Sequence, residues 1–502
     1  MGGEGTRQRR ALPAKPRDRK ELPLARADYG NLIAGDWHTE GEAVANVNPS
    51  DLDDTIATYA FASAEDTHAA VDAAKRAFPQ WAGLTPEQRQ APLEFIGDEL
   101  IRRKDEIGRL LSREEGKPLA EGVGEVARAG QFFKFYGGEA LRLHGDFTQS
   151  VRPGVEVEVR REPLGVVGLI TPWNFPAAIP AWKIAPALAY GNAVVFKPAE
   201  LVPGTAWALA EIISRSGLPE GLFNLVMGRG KDVGEAILSA RDVAAVSFTG
   251  SAATGGHIAR RCAETMKKVQ LEMGGKNPLV VLDDADLETA AAAALNGYSG
   301  TGQKCTASSR LVVQEGIHDR FVDALSDKLA GYTVGHALDP ETKCGPVVDE
   351  TQLQQDLDYI ALGQQEGAEL VTGGQLLNRA TRGHYLAPAL FTGTRNDMRI
   401  NREEIFGPVC AVIRVKDYAE ALAVANDTEY GLTSAICTDS LKRASHFKAN
   451  SRSGIVTVNL PTGGMDYHVP FGGMKASSYG PREQGQYARD FYTTTKTAYT
   501  KP

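Results

Sequence analysis

Between Leu164 and Phe248, short buried apolar runs alternate with amphipathic segments, and no other feature restricts the fold of the chain so strongly. Gly165–Ile170, Ala193–Phe196, Leu222–Val226 and Ala244–Phe248 have the character of strands. Ile179–Ala189, Thr205–Gly217 and Lys231–Leu238 have that of the helices between them. Strands that are apolar on both faces and joined through helices form a parallel sheet covered on both sides. Ligands of such sheets bind beyond the carboxyl ends of the strands. The residues that follow each strand are therefore where chemistry is expected.

The rhythm continues on both sides. Ala64–Phe78, Pro86–Glu114 and Glu121–Leu143 have the spacing of amphipathic helices, with Thr85-Pro86 as N-cap and first-turn residue of the second. In Val151–Glu162 the period changes. Val155, Val157 and Val159 alternate with Glu156, Glu158 and Arg160, as in a half-exposed strand. A second α/β block runs from Pro278 to Gly464, with helices at Leu287–Leu295, His318–Leu329 and Thr351–Glu366 and strands at Leu311–Val313 and Val409–Val415. Phe491–Tyr499, rich in Thr and Tyr, has the composition of an edge strand. A chain of 502 residues is too long for one ordinary core, so at least two domains are expected.

Bulk properties exclude several functions. No apolar run reaches the roughly 20 residues of a membrane helix. A net charge of −8 gives no basis for binding nucleic acid. The five cysteines (Cys262, Cys305, Cys344, Cys410, Cys437) are odd in number and not in CxxC spacing. That argues against disulfides and zinc and for a reducing compartment, hence the cytoplasm. The nine histidines have no metal-ligand spacing, so no metal is expected. Residues 1–28 are basic and interrupted by prolines, the composition of a disordered tail. Met1-Gly2-Gly3-Glu4-Gly5-Thr6 fits the myristoylation pattern by letter, a short pattern often met by chance.

Chemistry concentrates in a few stretches. Gly302-Gln303-Lys304-Cys305 sets one cysteine among small residues, just after the helix-like run Ala290–Leu295. Leu271-Glu272-Met273-Gly274-Gly275-Lys276 carries a carboxylate about thirty residues earlier. A thiol nucleophile and a carboxylate base suffice to make and hydrolyse a thioester; by residue type alone, a lone cysteine is more often a buried structural thiol. Asn174 in Thr171-Pro172-Trp173-Asn174-Phe175-Pro176 is either an oxyanion donor held rigidly or a turn residue. Lys197 and Glu200 follow a buried strand, where a carboxylate can accept both ribose hydroxyls and repel a 2′-phosphate. Phe248-Thr249-Gly250-Ser251 through Gly255 ends a strand and opens a helix. That is a phosphate site or a plain turn, since its GxxxxG spacing is not the common GxGxxG.

Together these stretches resemble the aldehyde dehydrogenase superfamily over nearly the whole chain, from Leu32 to Tyr499. The resemblance implies an α/β architecture: a Rossmann-type parallel-sheet cofactor domain, an α/β catalytic domain and a small β oligomerisation arm. The boundaries expected are 29–148 with 163–277 for the NAD-binding domain, 278–475 for the catalytic domain and 149–162 with 476–502 for the arm. The family's nucleophile, general base and oxyanion asparagine match Cys305, Glu272 and Asn174, and Lys197 joins them as a catalytic residue. Met273 replaces the usual leucine beside the base. Cofactor contacts are implied at Ile170, Thr171, Pro172, Trp173, Lys197, Glu200, Gly230, Gly234, Phe248, Thr249, Gly250, Ser251, Gly255, Glu272, Gly274, Glu404 and Phe406. Phe175, Trp182 and Phe471, with Cys305, are implied to meet the substrate.

Three stretches resemble the branch of α-ketoglutaric semialdehyde dehydrogenases: Asn48–Asp51, Arg128–Gln131 through Gly138–Arg142, and Pro461–Gly473 continuing through Ser477–Gly485. Met474 and Ala476 depart from the commoner residues there. The resemblance implies NAD-dependent oxidation of an aldehyde to a carboxylate, with NADP as the alternative cofactor, by a homodimer or homotetramer. Succinic semialdehyde or general aliphatic aldehydes are the alternative substrates, and a structural protein of the crystallin kind is a reading of another class. A distal carboxylate on the substrate needs a cation at the pocket mouth, for which Arg128, Lys134 and His468 are candidates.

Overall fold

The computed structural model describes residues 26–502. The segment expected to be a tail, with its myristoylation pattern, lies outside that range except for residues 26–28, which belong to the strand Arg26–Ile33. Three sheets organise the chain.

The largest sheet has ten strands. Its centre is parallel and runs Lys268–Glu272, Val243–Thr249, Val166–Ile170, Ala193–Lys197, Phe223–Leu225. The register sets Glu272 beside Thr249, Phe248 beside Ile170 and Ile170 beside Lys197. Four strands thus end on one line. Beyond Phe223–Leu225 the sheet continues through Arg26–Ile33, Asp51–Phe61 and Glu42–Asn48, with Asp36–Glu40 paired to the first of these. At the opposite edge Ser478–Tyr479 pairs antiparallel with Leu271 and Glu272. Ser478 and Tyr479, expected in the arm, are placed in this sheet by their ladder bonds.

A seven-stranded sheet follows the order Glu369–Thr372, Ala389–Thr394, Val409–Val415, Ser308–Gln314, Asn277–Val281, Thr433–Cys437, Ile455–Val458. Only its first pair is antiparallel. The third sheet is an antiparallel trio, Asp146–Gln149, Glu156–Pro163 and Thr493–Thr500. Asp146–Thr148, expected in the cofactor domain, pair here together with Gln149. The expected strand Phe491–Tyr499 begins later, because Arg489–Tyr492 is a helical turn.

Four helices cover the large sheet before its parallel centre begins. Ala64–Ala82 starts on a capping box in which Ser63 and Asp66 satisfy each other's backbone N–H. Thr85 and Gln88 do the same for Pro86–Arg102. The single helix expected over 86–114 is two, because the chain leaves helical geometry at Arg103 (φ −98°, ψ 12°) and restarts as Lys104–Glu115. Leu119–Ala140 crosses Pro86–Arg102 at Gly97 and Gly130. A Cβ on Gly97 would meet the Gly130 carbonyl at 2.8 Å, and one on Gly130 the Gly97 carbonyl at 2.7 Å, so this crossing requires glycine. That close packing fixes Leu119–Ala140 against the cleft. The expected helix Lys231–Leu238 is a wide turn, Gly230–Gly234, followed by one short helix, Glu235–Ser239.

Candidate functional site

Glu272 is the last residue of its strand and is buried. Its Oε2 accepts from the Ser478 hydroxyl at 2.7 Å. Burial, reinforced by Glu483, raises its pKa well above the ordinary range; the Ser478 bond opposes the shift. Cys305 follows the short helical segment Asn296–Gly302 and is half-buried. Its carbonyl accepts from Asn277 Nδ2 at 2.7 Å, which ties the loop to the first strand of the smaller sheet. Burial, with Glu404 and Glu272 nearby, pushes the thiol up to about 12.

Asn174 follows the strand Val166–Ile170. One of its amide N–H groups donates to the Gln303 carbonyl at 2.9 Å, next to the Cys305 loop. Its Oδ1 is buried without a partner. The amide thus retains a second N–H for another acceptor. A cavity of about 500 Å³ brings Cys305 and Asn174 together, lined also by Trp173, Thr249, Met273 and Glu404 among others; Glu272 itself is not part of that lining, although its neighbours Met273 and Gly274 are. Pro172, Gly250, Ser251, Gly274 and Phe406 complete the part expected from sequence. A more open groove of about 740 Å³ beside the helix Glu350–Gln365 contains none of them.

The remaining expected residues form the strand-end edge. Ile170 and Thr171 end one strand; Lys197 ends the next, its Nζ donating to Pro198 carbonyl at 2.9 Å and standing 3.7 Å from Glu200. Burial lowers the Lys197 pKa. Glu200 Oε1 accepts from the Gly230 N–H at 2.9 Å. Gly230 and Gly234 border open space. Ser251 caps the helix Ala252–Glu264, whose first N–H groups point along the edge. Gly255 packs on Met273. Glu404 Oε1 accepts from Gly275 N–H at 2.9 Å, and burial pushes Glu404 up to about 7. Phe406 adopts a positive φ of 64° and sets its ring edge-on to Trp173, with centroids 5.4 Å apart. Phe175 lies beneath Lys117, while Trp182 and Phe471 face each other at 5.6 Å.

A dinucleotide fits these residues. Thr249 Oγ1 is a buried hydroxyl without a partner, and a capped helix N-terminus, the Glu200 carboxylate beyond a strand end and a ring-lined cavity accompany it. Residues 37–498 match the aldehyde dehydrogenase family. The chain belongs to that family. The α-ketoglutaric semialdehyde dehydrogenase of Bacillus subtilis is 43% identical over 479 residues, covering 94% of this chain and 98% of the relative. The 2,5-dioxopentanoate dehydrogenase of Saccharolobus solfataricus is 40% identical, covering 93% and 98%. Betaine aldehyde dehydrogenase from Staphylococcus aureus in complex with NAD+ superposes with a TM-score of 0.92 at 34% identity, covering 95% of each chain. An NADP-dependent enzyme of E. coli gives 0.92 at 36%, covering 94% and 98%.

This aldehyde dehydrogenase also contains site partners that sequence reasoning missed. Lys117 Nζ donates to the Asn174 carbonyl at 2.6 Å and to Glu125 Oε2 at 2.7 Å. Glu125 Oε1 in turn accepts the N–H groups of Ala177 and Ala178 at 2.9 and 3.1 Å. One buried ion pair thus grips both sides of the Asn174 turn. Behind Glu272, Glu483 binds the Lys183 ammonium and accepts from Trp182 Nε1 at 2.7 Å. Lys183 also reaches Ser247 Oγ at 2.7 Å. These pairs are separated by up to 301 positions, and no local spacing announces them.

Proposed function

We propose that this aldehyde dehydrogenase oxidises α-ketoglutaric semialdehyde to 2-oxoglutarate with NAD, Cys305 serving as nucleophile. The observation that carries the reaction is the lining of one cavity by Cys305, Asn174 and the residues at the strand ends. Cys305 passes its thiol proton to solvent water, and the thiolate sulfur bonds the aldehyde carbon as the carbonyl electron pair moves onto oxygen. The resulting oxyanion is held by the free N–H of Asn174 and the backbone N–H of Cys305. NAD, when bound along the strand ends, supplies the hydride acceptor. Oxidation of the adduct leaves a thioester on Cys305. Glu272 takes a proton from water, the oxygen bonds the acyl carbon, and the carbon–sulfur bond breaks to release the carboxylate. When NAD is bound, Lys197 and Glu200 would hold the adenosine ribose, and Glu404 and Phe406 the nicotinamide end.

The names of the relatives from B. subtilis and S. solfataricus support the substrate. The alternative is succinic semialdehyde, favoured by a 38% identical succinate-semialdehyde dehydrogenase of Escherichia coli. Glu200 supports NAD over NADP, since a 2′-phosphate would meet its carboxylate. We further propose a homodimer or homotetramer assembled through the three-stranded arm, working in a reducing cytoplasm that suits five free thiols.

Steady-state kinetics with aldehydes of one to six carbons, with and without a terminal carboxylate and with each cofactor, tests the reading. The highest kcat/KM is expected for α-ketoglutaric semialdehyde with NAD, and no aldehyde-dependent reduction by Cys305→Ala. Wild-type turnover by Cys305→Ala would overturn the mechanism. A clear preference for an uncharged aldehyde would overturn the substrate.

A further inference from the structure

Helix Leu119–Ala140 carries Glu125, Arg128 and Phe132 at i, i+3 and i+7, a single face. The two outer residues of that face have known neighbours. Glu125 accepts the N–H groups at the start of helix Ala178–Ala189. Phe132 sets its ring edge-on to Trp182 of the same helix, with centroids 5.7 Å apart. Arg128 therefore faces the wall that begins at Asn174 and ends at Trp182.

The loop 461–471 closes the other side. Thr462 Oγ1 donates to the Thr306 carbonyl at 2.6 Å, one residue from Cys305. At its far end Phe471 exchanges two backbone hydrogen bonds with Glu483, at 2.7 and 2.9 Å. The adjoining Gly472 touches Glu272: a Cβ there would stand 2.7 Å from Oε1. Between these anchors Tyr467 packs on Arg128, the guanidinium carbon lying 5.7 Å from its ring centre and 6.0 Å from that of Phe132. The loop leaves the nucleophile, passes Arg128 and arrives at the base.

Arg128 is half-buried, yet among the described residues no hydrogen bond or ion pair engages its guanidinium. The exposed Asp466 acts on it only through space. Rings hold the cation in a fixed orientation and leave its N–H fork undirected, the arrangement that a bidentate carboxylate completes. The two other cations considered from sequence have no such setting. Lys134 is exposed and ion-paired with Asp98, and His468 is exposed with its ring against Tyr467. Resting on the dicarboxylic substrate proposed above, we infer that Arg128 is the specificity-determining residue that binds the carboxylate at the far end of the aldehyde. Phe132, Trp182 and Tyr467 enclose the carbons between.

Kinetics of wild type, Arg128→Met and Arg128→Lys with α-ketoglutaric semialdehyde, succinic semialdehyde and uncharged pentanal test this. For wild type a strong preference for the carboxylated aldehydes is expected. In Arg128→Met their KM rises about 10–100-fold, kcat changes little, and the KM for pentanal is unchanged or lower. Arg128→Lys regains part of the discrimination. Equal effects on charged and uncharged aldehydes, or no effect, overturn the assignment of Arg128 while the substrate stands. If wild type itself shows no preference, the substrate reading fails and Arg128 falls with it. Thermal midpoints identify loss of fold, and Arg128→Gln makes the same comparison should the methionine variant not fold.

Discussion

Asn174 shows how much of the proposed catalytic geometry is decided by residues outside the proposed set. Its carbonyl is fixed by Lys117, whose charge is balanced by Glu125, which also caps the next helix. Lys117→Met leaves Glu125 buried without its cation and releases the turn. Stopped-flow reduction of the cofactor is expected to slow by about 10²-fold, the usual consequence of a displacement near 1 Å, with cofactor affinity nearly unchanged. The base supplies a second expectation. Because burial and Glu483 raise the Glu272 pKa, its ionised form appears only as pH climbs above the ordinary carboxylate range. Thioester hydrolysis should therefore accelerate with rising pH, measured as the turnover that follows the first burst of product. Glu272→Gln should lower and flatten that profile. Cys305, Glu272 and Asn174 could be proposed from sequence because each lies in a short stretch whose letters stay together. Lys117, Ser478 and Glu483 were not, since an ammonium or hydroxyl gains its role only from a partner that folding brings from far along the chain.

Elements were readable where burial is two-sided. The parallel strands Val166–Ile170, Ala193–Lys197 and Val243–Thr249 appear as continuous apolar runs, and the expected bounds agree with them within a few residues. The strands between Arg26 and Phe61 were missed: Asp51–Phe61 mixes buried and half-buried residues and carries three aspartates, so neither period stands out. The break at Arg103 has neither Gly nor Pro to signal it. Helix Glu350–Gln365 has a cost built into it. Asp356 is fully buried, with Oδ2 unpartnered and Oδ1 accepting from Gln352 at 2.9 Å. Burial pushes its carboxyl up to about 8. The folded state thus keeps a proton that the unfolded chain loses near pH 4. Stability at this site is full below that pH, declines as pH rises, and levels off past about 8. Denaturant titrations should show Asp356→Asn increasingly more stable than wild type between pH 5 and 8, with little difference at pH 4.

At the scale of the whole molecule, the antiparallel trio leaves Asp146–Gln149 and Thr493–Thr500 as open edges, with Phe147 and Tyr499 exposed. Bare edges of this kind invite pairing between subunits. A Phe147→Glu, Tyr499→Glu double variant is expected to elute near 53.8 kDa in size-exclusion chromatography with light scattering, and wild type at a multiple of that mass. Glu272 and Cys305, the proposed base and nucleophile, are also held by different sheets. Glu272 closes the large one, Asn277 opens the smaller one, and the Cys305 loop hangs from Asn277. The chain passes between them directly through 273–276 and returns through 459–477 to the strand Ser478–Tyr479. Loosening that seam would separate sulfur from carboxylate while the strands stay paired, so under mild heat or chaotrope activity is expected to fall before the circular dichroism changes.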